Sequence, residues 1–303
     1  MTSLIMDTER KYIVGIGEAL WDVLPEGKKI GGAPANFAYH VSQFGLDSIV
    51  VSAVGNDALG DEILENFRGK GLHTLIARTD HPTGTVQVTL DGAGVPRYEI
   101  RENVAWDNIP FTPELEKLAR ETRAVCFGSL AQRSPVSKET IQRFLDTMPD
   151  GEGTYKIFDI NLRQDFYSAE TAKASLDRCN ILMINDEELV IVSRMFGLPA
   201  ADMKEACRSA VREFGLKMLI LTCGTRGSHV FTPGSESFEE TPKVEVADTV
   251  GAGDSFTGAF IAALLNGKDV REAHRLAVDV SAFVCTMDGA MPALPEGLLR
   301  RAR

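Results

Sequence analysis

The stretch of this sequence most specific for chemistry spans residues 248–256, Asp-Thr-Val-Gly-Ala-Gly-Asp-Ser-Phe. Because its small residues precede an apolar helical face, they can turn backbone N–H groups toward one point at a helix N-terminus, which favours an anion. Such an anion hole suits charge that develops on a phosphoryl group, and Asp254 inside it could accept the proton of an attacking hydroxyl. An Asp cap after a tight glycine turn accounts for the spacing equally well.

A second glycine-rich segment, residues 31–38, opens the first clear helical pattern with Gly-Gly-Ala-Pro-Ala-Asn-Phe-Ala. Two glycines let a ligand approach the backbone closely. Asn36 then stands on the first turn, where its amide can donate to and accept from hydroxyl groups. The alternative is a flexible turn that feeds a helix whose small residues pack on a sheet.

Several common sites are absent from the sequence. It contains no G-x-x-x-x-G-K-[ST], and Gly15-Ile16-Gly17 lacks the third glycine of the dinucleotide fingerprint, which disfavours a nicotinamide-dependent oxidoreductase. The five histidines show no metal-ligand spacing. The five cysteines are odd in number and include no C-x-x-C, so we expect reduced thiols rather than disulfides or a zinc site.

Composition narrows the class of protein. The chain has 303 residues, of which 44% are hydrophobic and 25% charged, as in ordinary globular proteins. A net charge of −11 disfavours non-specific nucleic-acid binding, although local donors can still bind an anionic substrate. No apolar run follows a basic N-terminus, and the longest apolar stretch, residues 259–265, is too short for a membrane span. We therefore expect a soluble cytoplasmic protein with no membrane or nucleic-acid partner.

The elements that must position these residues alternate along the chain. Short β-branched runs predict strands at 12–17, 48–54, 124–128, 156–160, 181–184 and 218–222. Amphipathic patterns predict helices at 34–44, 58–70, 113–121, 136–148, 186–196, 201–214 and 253–266. Such alternation indicates an α/β fold in which a mostly parallel sheet carries helices on both faces.

One region breaks the alternation. Residues 85–90 and 97–101 alternate polar and apolar positions around the turn Asp91-Gly92-Ala93-Gly94, which predicts a one-sided β-hairpin. Residues 20–30 also resist a helical interpretation. We expect these segments, about 18–31 and 83–106, to form a small β-sheet beside the main sheet, within a single domain that spans 1–303.

The two glycine-rich motifs, in the order G-G-x-x-x-N and D-T-x-G-A-G-D, together resemble the PfkB, or ribokinase-like, family of carbohydrate kinases. The resemblance runs from Tyr12 to Pro295, and residues 17–22, 127–129 and 159–163 are most similar to the fructokinase branch. It implies a ribokinase-like three-layer α/β/α sandwich with a small β-sheet lid over the sugar site. The implied reaction transfers the γ-phosphoryl of ATP to a primary hydroxyl of a sugar, with D-fructose favoured.

The resemblance also implies roles for individual residues. Asp254 matches the catalytic base, and the anion hole matches Gly251, Ala252 and Gly253. Sugar hydroxyls are implied to bind Asp22, Gly32 and Asn36, and Arg163 is placed to reach a phosphate or an acidic sugar. The N-x-x-E motif of Asn185 and Glu188 is implied to order Mg²⁺ and phosphate through waters. The nucleotide phosphates are implied to contact the segment that contains Thr222, Gly224 and Gly227.

A potassium site and the lid are matched less completely. The implied potassium ligands are the Asp248 carboxylate and the carbonyls of Val250, Val284 and Gly289. The side-chain oxygen that ribokinases offer is missing at Ala293. Parts of 273–284 are expected to line the adenine pocket. In the lid, Arg97, Tyr98 and Trp106 are candidates for contact with the sugar or a partner subunit, with simple lid packing the better interpretation of Trp106.

Four alternatives stay open at this point. Arg163 could pair with an acid sugar, which suggests a 2-keto-3-deoxygluconate kinase, and other PfkB sugar or nucleoside kinases share the motifs. A non-catalytic sugar- or nucleotide-sensing relative is a different class, disfavoured by the presence of both Asp254 and Glu188. Without the family, Glu188 would be interpreted as an exposed helix acid.

A lid with an exposed apolar face also suggests a homodimer through that lid.

Overall fold

The computed structural model describes residues 11–24, 27–90, 96–199 and 201–302. Its strands are β1 (Tyr12–Ile16), β2 (Leu20–Leu24), β3 (Gly27–Gly31), β4 (Ser48–Gly55), β5 (His73–Thr79), β6 (Gly84–Leu90), β7 (Pro96–Ile100), β8 (Thr122–Phe127), β9 (Tyr155–Asp159), β10 (Ile181–Asn185), β11 (Met218–Thr222), β12 (Ser228–Phe231) and β13 (Glu236–Glu239). Its helices are α1 (Ala33–Gln43), α2 (Ala58–Gly69), α3 (Pro113–Arg120), α4 (Pro135–Thr147), α5 (Ala169–Leu176), α6 (Asp186–Phe196), α7 (Met203–Glu213), α8 (Ala252–Leu265), α9 (Val270–Cys285) and α10 (Glu296–Leu299).

Nine of these strands form one large sheet in the order β13-β12-β11-β10-β9-β8-β1-β4-β5. The strands from β11 to β5 are parallel, and β12 and β13 add antiparallel to one edge. All six predicted strands lie in this sheet and are confirmed. The sequence did not predict β5, β12 and β13, because strands at or near a sheet edge need no continuous apolar run.

Helices cover both faces of the large sheet, and three clusters of buried apolar residues lie beneath them. The seven predicted helices are confirmed, each within two residues of its predicted ends. The sequence analysis missed α5, α9 and the short α10. Asp269 and Glu272 form a capping box at the start of α9, and this D-x-x-E pattern is a local signal that could have revealed the helix. Within the described ranges, no helix has the length and apolarity needed to cross a membrane.

The remaining four strands form the predicted small sheet, in the order β3-β2-β6-β7. The hairpin of β6 and β7 is antiparallel, and its predicted turn at 91–94 lies outside the described residues. Arg133 anchors the base of this lid, because its guanidinium makes a buried bidentate ion pair with Asp107 and covers the ring of Trp106. Gly84 lies directly against that ring, where an added Cβ would come within 2.1 Å of the indole nitrogen.

Candidate active site

A cleft of about 1050 Å³ opens between the lid and the carboxyl ends of the large parallel sheet. Most of the predicted site residues line it: Asp22, Gly32, Asn36, Arg163, Asn185, Glu188, Thr222, Asp248, Val250, Gly251, Ala252, Gly253, Asp254 and Gly289. Three predicted residues do not line the cleft. Gly224 and Gly227 lie beyond the end of β11, and Val284 is buried in α9.

The centre of the cleft joins the two glycine-rich motifs. Asn36 on α1 and Asp254 on α8 are 218 residues apart in sequence, yet the Asn36 amide donates from Nδ2 to Oδ2 of Asp254 over 2.7 Å. Asn36 is 3% exposed, and its Oδ1 accepts no hydrogen bond from the described residues. The amide therefore orients the carboxylate of Asp254 and leaves an acceptor for a hydroxyl donor.

Gly251 makes the start of α8 fit this cleft. It is the N-cap of the helix with φ of 78°, a left-handed conformation that favours glycine. An added Cβ would lie 2.6 Å from the Cβ of Ala290, so glycine is also required for close packing. The turn places the N-terminus of α8 at the cleft, which Ala252 and Gly253 line; the Ala252 N–H donates to the Thr249 carbonyl at 3.3 Å. This geometry is suited to an anion, as the sequence predicts.

Several carboxyl groups line the cleft, among them those of Glu18, Asp22 and Asp254. Burial raises the pKa of Asp254 to about 6, the Asn36 hydrogen bond opposes that rise, and the charge of Glu18 adds to it. Burial, together with the charge of Asp248, raises the pKa of Asp22 to about 6. Burial also raises the pKa of Glu18, which is 3% exposed and whose Oε2 accepts no bond from the described residues.

Asp159 adds a further carboxyl group at the end of β9. Its pKa lies well above the ordinary value because of burial and of the charges of Asp254 and Glu188. Arg163 opposes these shifts electrostatically, and it is carried by a strained loop. Asn161 and Gln164 in that loop have φ of 43° and 47°, a left-handed region that non-glycine residues rarely occupy outside functional sites.

The N-x-x-E motif forms a capping box at the start of α6. The Asn185 side chain accepts from the backbone N–H of Glu188 at 2.8 Å, and Glu188 accepts in return from Asn185 N–H at 3.0 Å. The other carboxylate oxygen of Glu188 accepts from Leu162 N–H at 2.9 Å. Glu188 is 7% exposed, so its interpretation as an exposed helix acid is wrong. The motif thus fixes the β9 and β10 loops relative to each other.

The oxygen donors of this motif suit a magnesium ion that is bound through its own water ligands rather than directly. Among the described residues, no three acidic, imidazole or thiol groups converge to hold a metal directly. Asp159, Asn185 and Glu188 nevertheless offer two carboxyl groups and an amide to the cleft, and Mg²⁺ prefers oxygen ligands and retains several waters. These residues therefore fit a hydrated ion in the outer shell.

Sequence reasoning missed three charged residues that line the cleft: Glu18, Lys29 and Asp159. Glu18 follows β1 and Asp159 ends β9, and the carboxyl ends of parallel strands are where ligands bind, so their positions were a usable signal. Lys29 had no such signal. Its ammonium contacts Asp248 and Asp288, more than 200 residues away.

Of the three lid residues that were candidates for contact with the sugar or a partner subunit, the structure describes the side chain of one. Trp106 is fully buried between Gly84 and Arg133 and does not line the cleft, so the packing interpretation is confirmed. Arg97 and Tyr98 belong to β7, but their side chains lie outside the described part of the structure.

Comparison with known proteins decides the family. The model of the pfkB family carbohydrate kinases matches residues 18–297. The chain belongs to this family. As a PfkB carbohydrate kinase it has the predicted ribokinase-like fold. A crystal structure of fructokinase with bound ATP from Xylella fastidiosa has the same fold, with a TM-score of 0.82 and 22% sequence identity. The match covers 96% of this chain and 98% of the other.

Two curated relatives of this PfkB kinase are named for different sugar kinase activities. It is 27% identical over 311 residues to an ATP-dependent 6-phosphofructokinase of Thermoanaerobacterium thermosaccharolyticum, covering 97% of this chain and 94% of the relative. It is also 27% identical over 317 residues to a probable fructokinase of Arabidopsis thaliana, covering 96% and 90%. The activity is therefore that of a carbohydrate kinase.

Proposed function

We propose that this PfkB kinase uses ATP to phosphorylate a primary hydroxyl of a neutral ketose, converting D-fructose to fructose 6-phosphate. The observation that carries the proposal is the hydrogen bond between Asn36 and Asp254. It holds a carboxylate with a pKa of about 6 beside the glycine turn at the start of α8. A base of that strength is mostly ionised at neutral pH and still accepts a proton well.

The reaction follows from this arrangement. Asp254 accepts the proton of the sugar hydroxyl as the hydroxyl oxygen forms its bond to the γ-phosphorus and the bond from phosphorus to the β–γ bridging oxygen breaks. The positive potential of the α8 N-terminus, at Gly251, Ala252 and Gly253, stabilises the negative charge that is spread over the equatorial oxygens in the transition state. Asp22 and Glu18 accept hydrogen bonds from sugar hydroxyls. The lid excludes water that would otherwise take the phosphoryl group.

Magnesium, when bound, neutralises charge on the ATP phosphates. Asp159, Asn185 and Glu188 would hold it through waters, because all three residues line the cleft while the side-chain oxygens of Asn185 and Glu188 already accept from backbone N–H groups. Thr222 lines the cleft, and Gly224 and Gly227 continue beyond it, which supports a nucleotide phosphate path along the end of β11.

The charge of the part of the cleft that we propose binds the sugar favours an uncharged substrate. Glu18, Asp22 and Asp254 line it, and the ammonium of Lys29 is already paired with Asp248 and Asp288. Arg163 is the remaining basic side chain among the described residues that line this cleft. A sugar phosphate or keto-acid would add its own negative charge next to Asp22 and Asp254, which have pKa values of about 6 and are mostly ionised at neutral pH, and like charges repel. This supports fructose over fructose 6-phosphate as the acceptor.

A substrate panel under saturating MgATP tests the proposal. We expect kcat/KM for fructose to exceed the values for fructose 6-phosphate and 2-keto-3-deoxygluconate by about 10²-fold. A preference for the keto-acid that Arg163→Met abolishes would overturn the choice of sugar and support the acid-sugar kinase. Binding of sugars without turnover over the whole panel would instead indicate a sensing relative and overturn the catalytic role of Asp254.

A further inference from the structure

One cation bridges the lid and the loop that precedes the anion hole. Lys29 on β3 donates its ammonium to Asp288 Oδ1 at 2.6 Å and to Asp248 Oδ2 at 3.3 Å. Asp22 pairs directly with Lys29 across β2 and β3, so both side chains are on the same face of the lid sheet. The ammonium thus joins the Asp248 and Asp288 carboxylates, on the face of the lid sheet that also carries Asp22.

The carboxylate of Asp248 is already well supplied with donors. Its Oδ1 accepts from Val250 N–H at 3.0 Å, and its Oδ2 accepts from Gly289 N–H at 3.3 Å in addition to Lys29. The side chain is 17% exposed. These bonds hold the loop of Asp248 against Gly289, and the next residue, Ala290, packs on the Cα of Gly251. The charge balance at Asp248 therefore bears on the position of the anion hole.

A potassium ion fits this set of residues poorly. The carbonyl of Val284 accepts the N–H of Met287 at 3.0 Å, and Ala293 offers no side-chain oxygen. The Asp248 carboxylate, the one charged member of the implied set, carries three N–H donors, one of them an ammonium. A potassium ion at that carboxylate would stand next to a second positive charge, which opposes its binding.

We propose that the ammonium of Lys29 takes the place of the monovalent cation beside the anion hole, so that this kinase works without potassium. The cation is then tethered to the lid strand β3. Its pairing with Asp248 and Asp288 couples the position of the lid to the loop that leads to Gly251. The inference concerns the anion hole of the proposed kinase, but it does not depend on which sugar is phosphorylated.

Thermal melting at constant ionic strength tests this proposal without a substrate. We expect the Tm of the wild type to be the same in potassium chloride and in tetramethylammonium chloride. Lys29→Met keeps the apolar stem and removes the charge, so its Tm should fall in tetramethylammonium and recover saturably by about 5 °C as potassium is added. Lys28→Met is the matched control, because Lys28 lies next in the strand but pairs with Glu62 and covers Trp21, and it should behave as the wild type does.

Two results would overturn the proposal. One is a saturable rise of the wild-type Tm with potassium. The other is a folded Lys29→Met protein whose Tm is as insensitive to potassium as that of the wild type. If Lys29→Met does not fold in either salt, the Tm values of Lys29→Arg and the wild type provide the test. Potassium-independent Tm values for both proteins support the proposal, and a potassium-dependent Tm for either overturns it. A failed substrate panel leaves these melting results unaffected.

Discussion

The Asn36 amide and the Asp254 carboxylate meet at 2.7 Å, so the first helix of the core sets the position of a base on the eighth. Because Asn36 donates, the bond stabilises the ionised form of Asp254 and lowers its pKa, against the larger upward effect of burial. The remaining oxygen of the amide is available to the substrate. In the proposed reaction, one side chain therefore both adjusts the base and binds the sugar.

Asn36→Ala should move the acid limb of the pH–kcat profile to higher pH. Loss of a charge-assisted hydrogen bond worth about 1.5–3 kcal/mol raises the pKa of Asp254 by about one unit or more. The loss in kcat should therefore be larger at pH 6 than at pH 8. Asn36→Asp, which adds a charge instead of removing a donor, should shift the limb further. Parallel profiles for the wild type and Asn36→Ala would contradict the coupling.

Asp254→Asn should lower kcat by two to four decades while raising stability at alkaline pH. The folded-state pKa of about 6 lies above the ordinary value of 3.8. The protonated Asp254 carboxyl group therefore makes a stabilising contribution to the free energy of unfolding. This contribution is fully present below pH 4 and is lost as the pH rises through 6. At pH 8 the buried charge costs about 3 kcal/mol, which the neutral amide avoids. The Tm should therefore exceed that of the wild type at pH 8, and the difference should shrink toward pH 4.

Asp22→Asn is the matched control for this effect. The pKa of Asp22 is also raised to about 6, so the neutral variant should gain stability at pH 8 in the same way. Because Asp22 is proposed to bind sugar rather than to accept the proton, its loss should raise KM more than it lowers kcat. Equal losses of kcat in the two variants would contradict the assignment of Asp254 as the base.

Glu188→Ala should destabilise the fold by about 2 kcal/mol, because it leaves two partly buried backbone donors, Leu162 N–H and Asn185 N–H, without their acceptor. KM for MgATP should rise as well, since the loop ends that face the nucleotide lose their shared anchor. Denaturant unfolding and ATP titration measure the two effects. Glu187→Ala is the control, because Glu187 precedes it on the same helix turn and is exposed. Equal stability of the two variants would refute the capping role.

The sequence predicted the architecture where the signal is local. Apolar runs and helical spacing identified every central strand, and the polar–apolar alternation identified the β6–β7 hairpin. Even the two glycine motifs are local, since each places a small-residue turn at the start of a helix. Their meeting in one cleft followed from the family resemblance rather than from spacing.

Contacts between distant segments could not be predicted in this way. Nothing near Lys29 indicates that its ammonium reaches Asp248, because the lid strand and that loop are brought together only by the folded core. The burial of Glu188 likewise depends on the Leu162 loop, which is 26 residues away in sequence. Spacing alone therefore made Glu188 an exposed helix acid, although its capping motif was visible.

Gly251→Ala should reduce kcat strongly while leaving sugar affinity nearly unchanged. A Cβ there meets Ala290 at 2.6 Å, and the φ of 78° costs a non-glycine residue about 1–2 kcal/mol. Both effects displace the first amides of α8, whereas Asp22 and Asn36 keep their places. Ala290→Gly in the same chain removes the 2.6 Å contact but leaves those with the Cα and carbonyl oxygen of residue 290, at 2.8 and 3.0 Å, so it should restore only a small part of kcat. Gly69→Ala, at the open end of α2 with no atom within 4 Å of the added Cβ, should leave kcat unchanged. No recovery in the double variant would show that the Ala290 side chain does not limit this position, and that the backbone at residues 251 and 290 shapes the anion hole; unchanged kcat in Gly251→Ala itself would contradict the need for glycine.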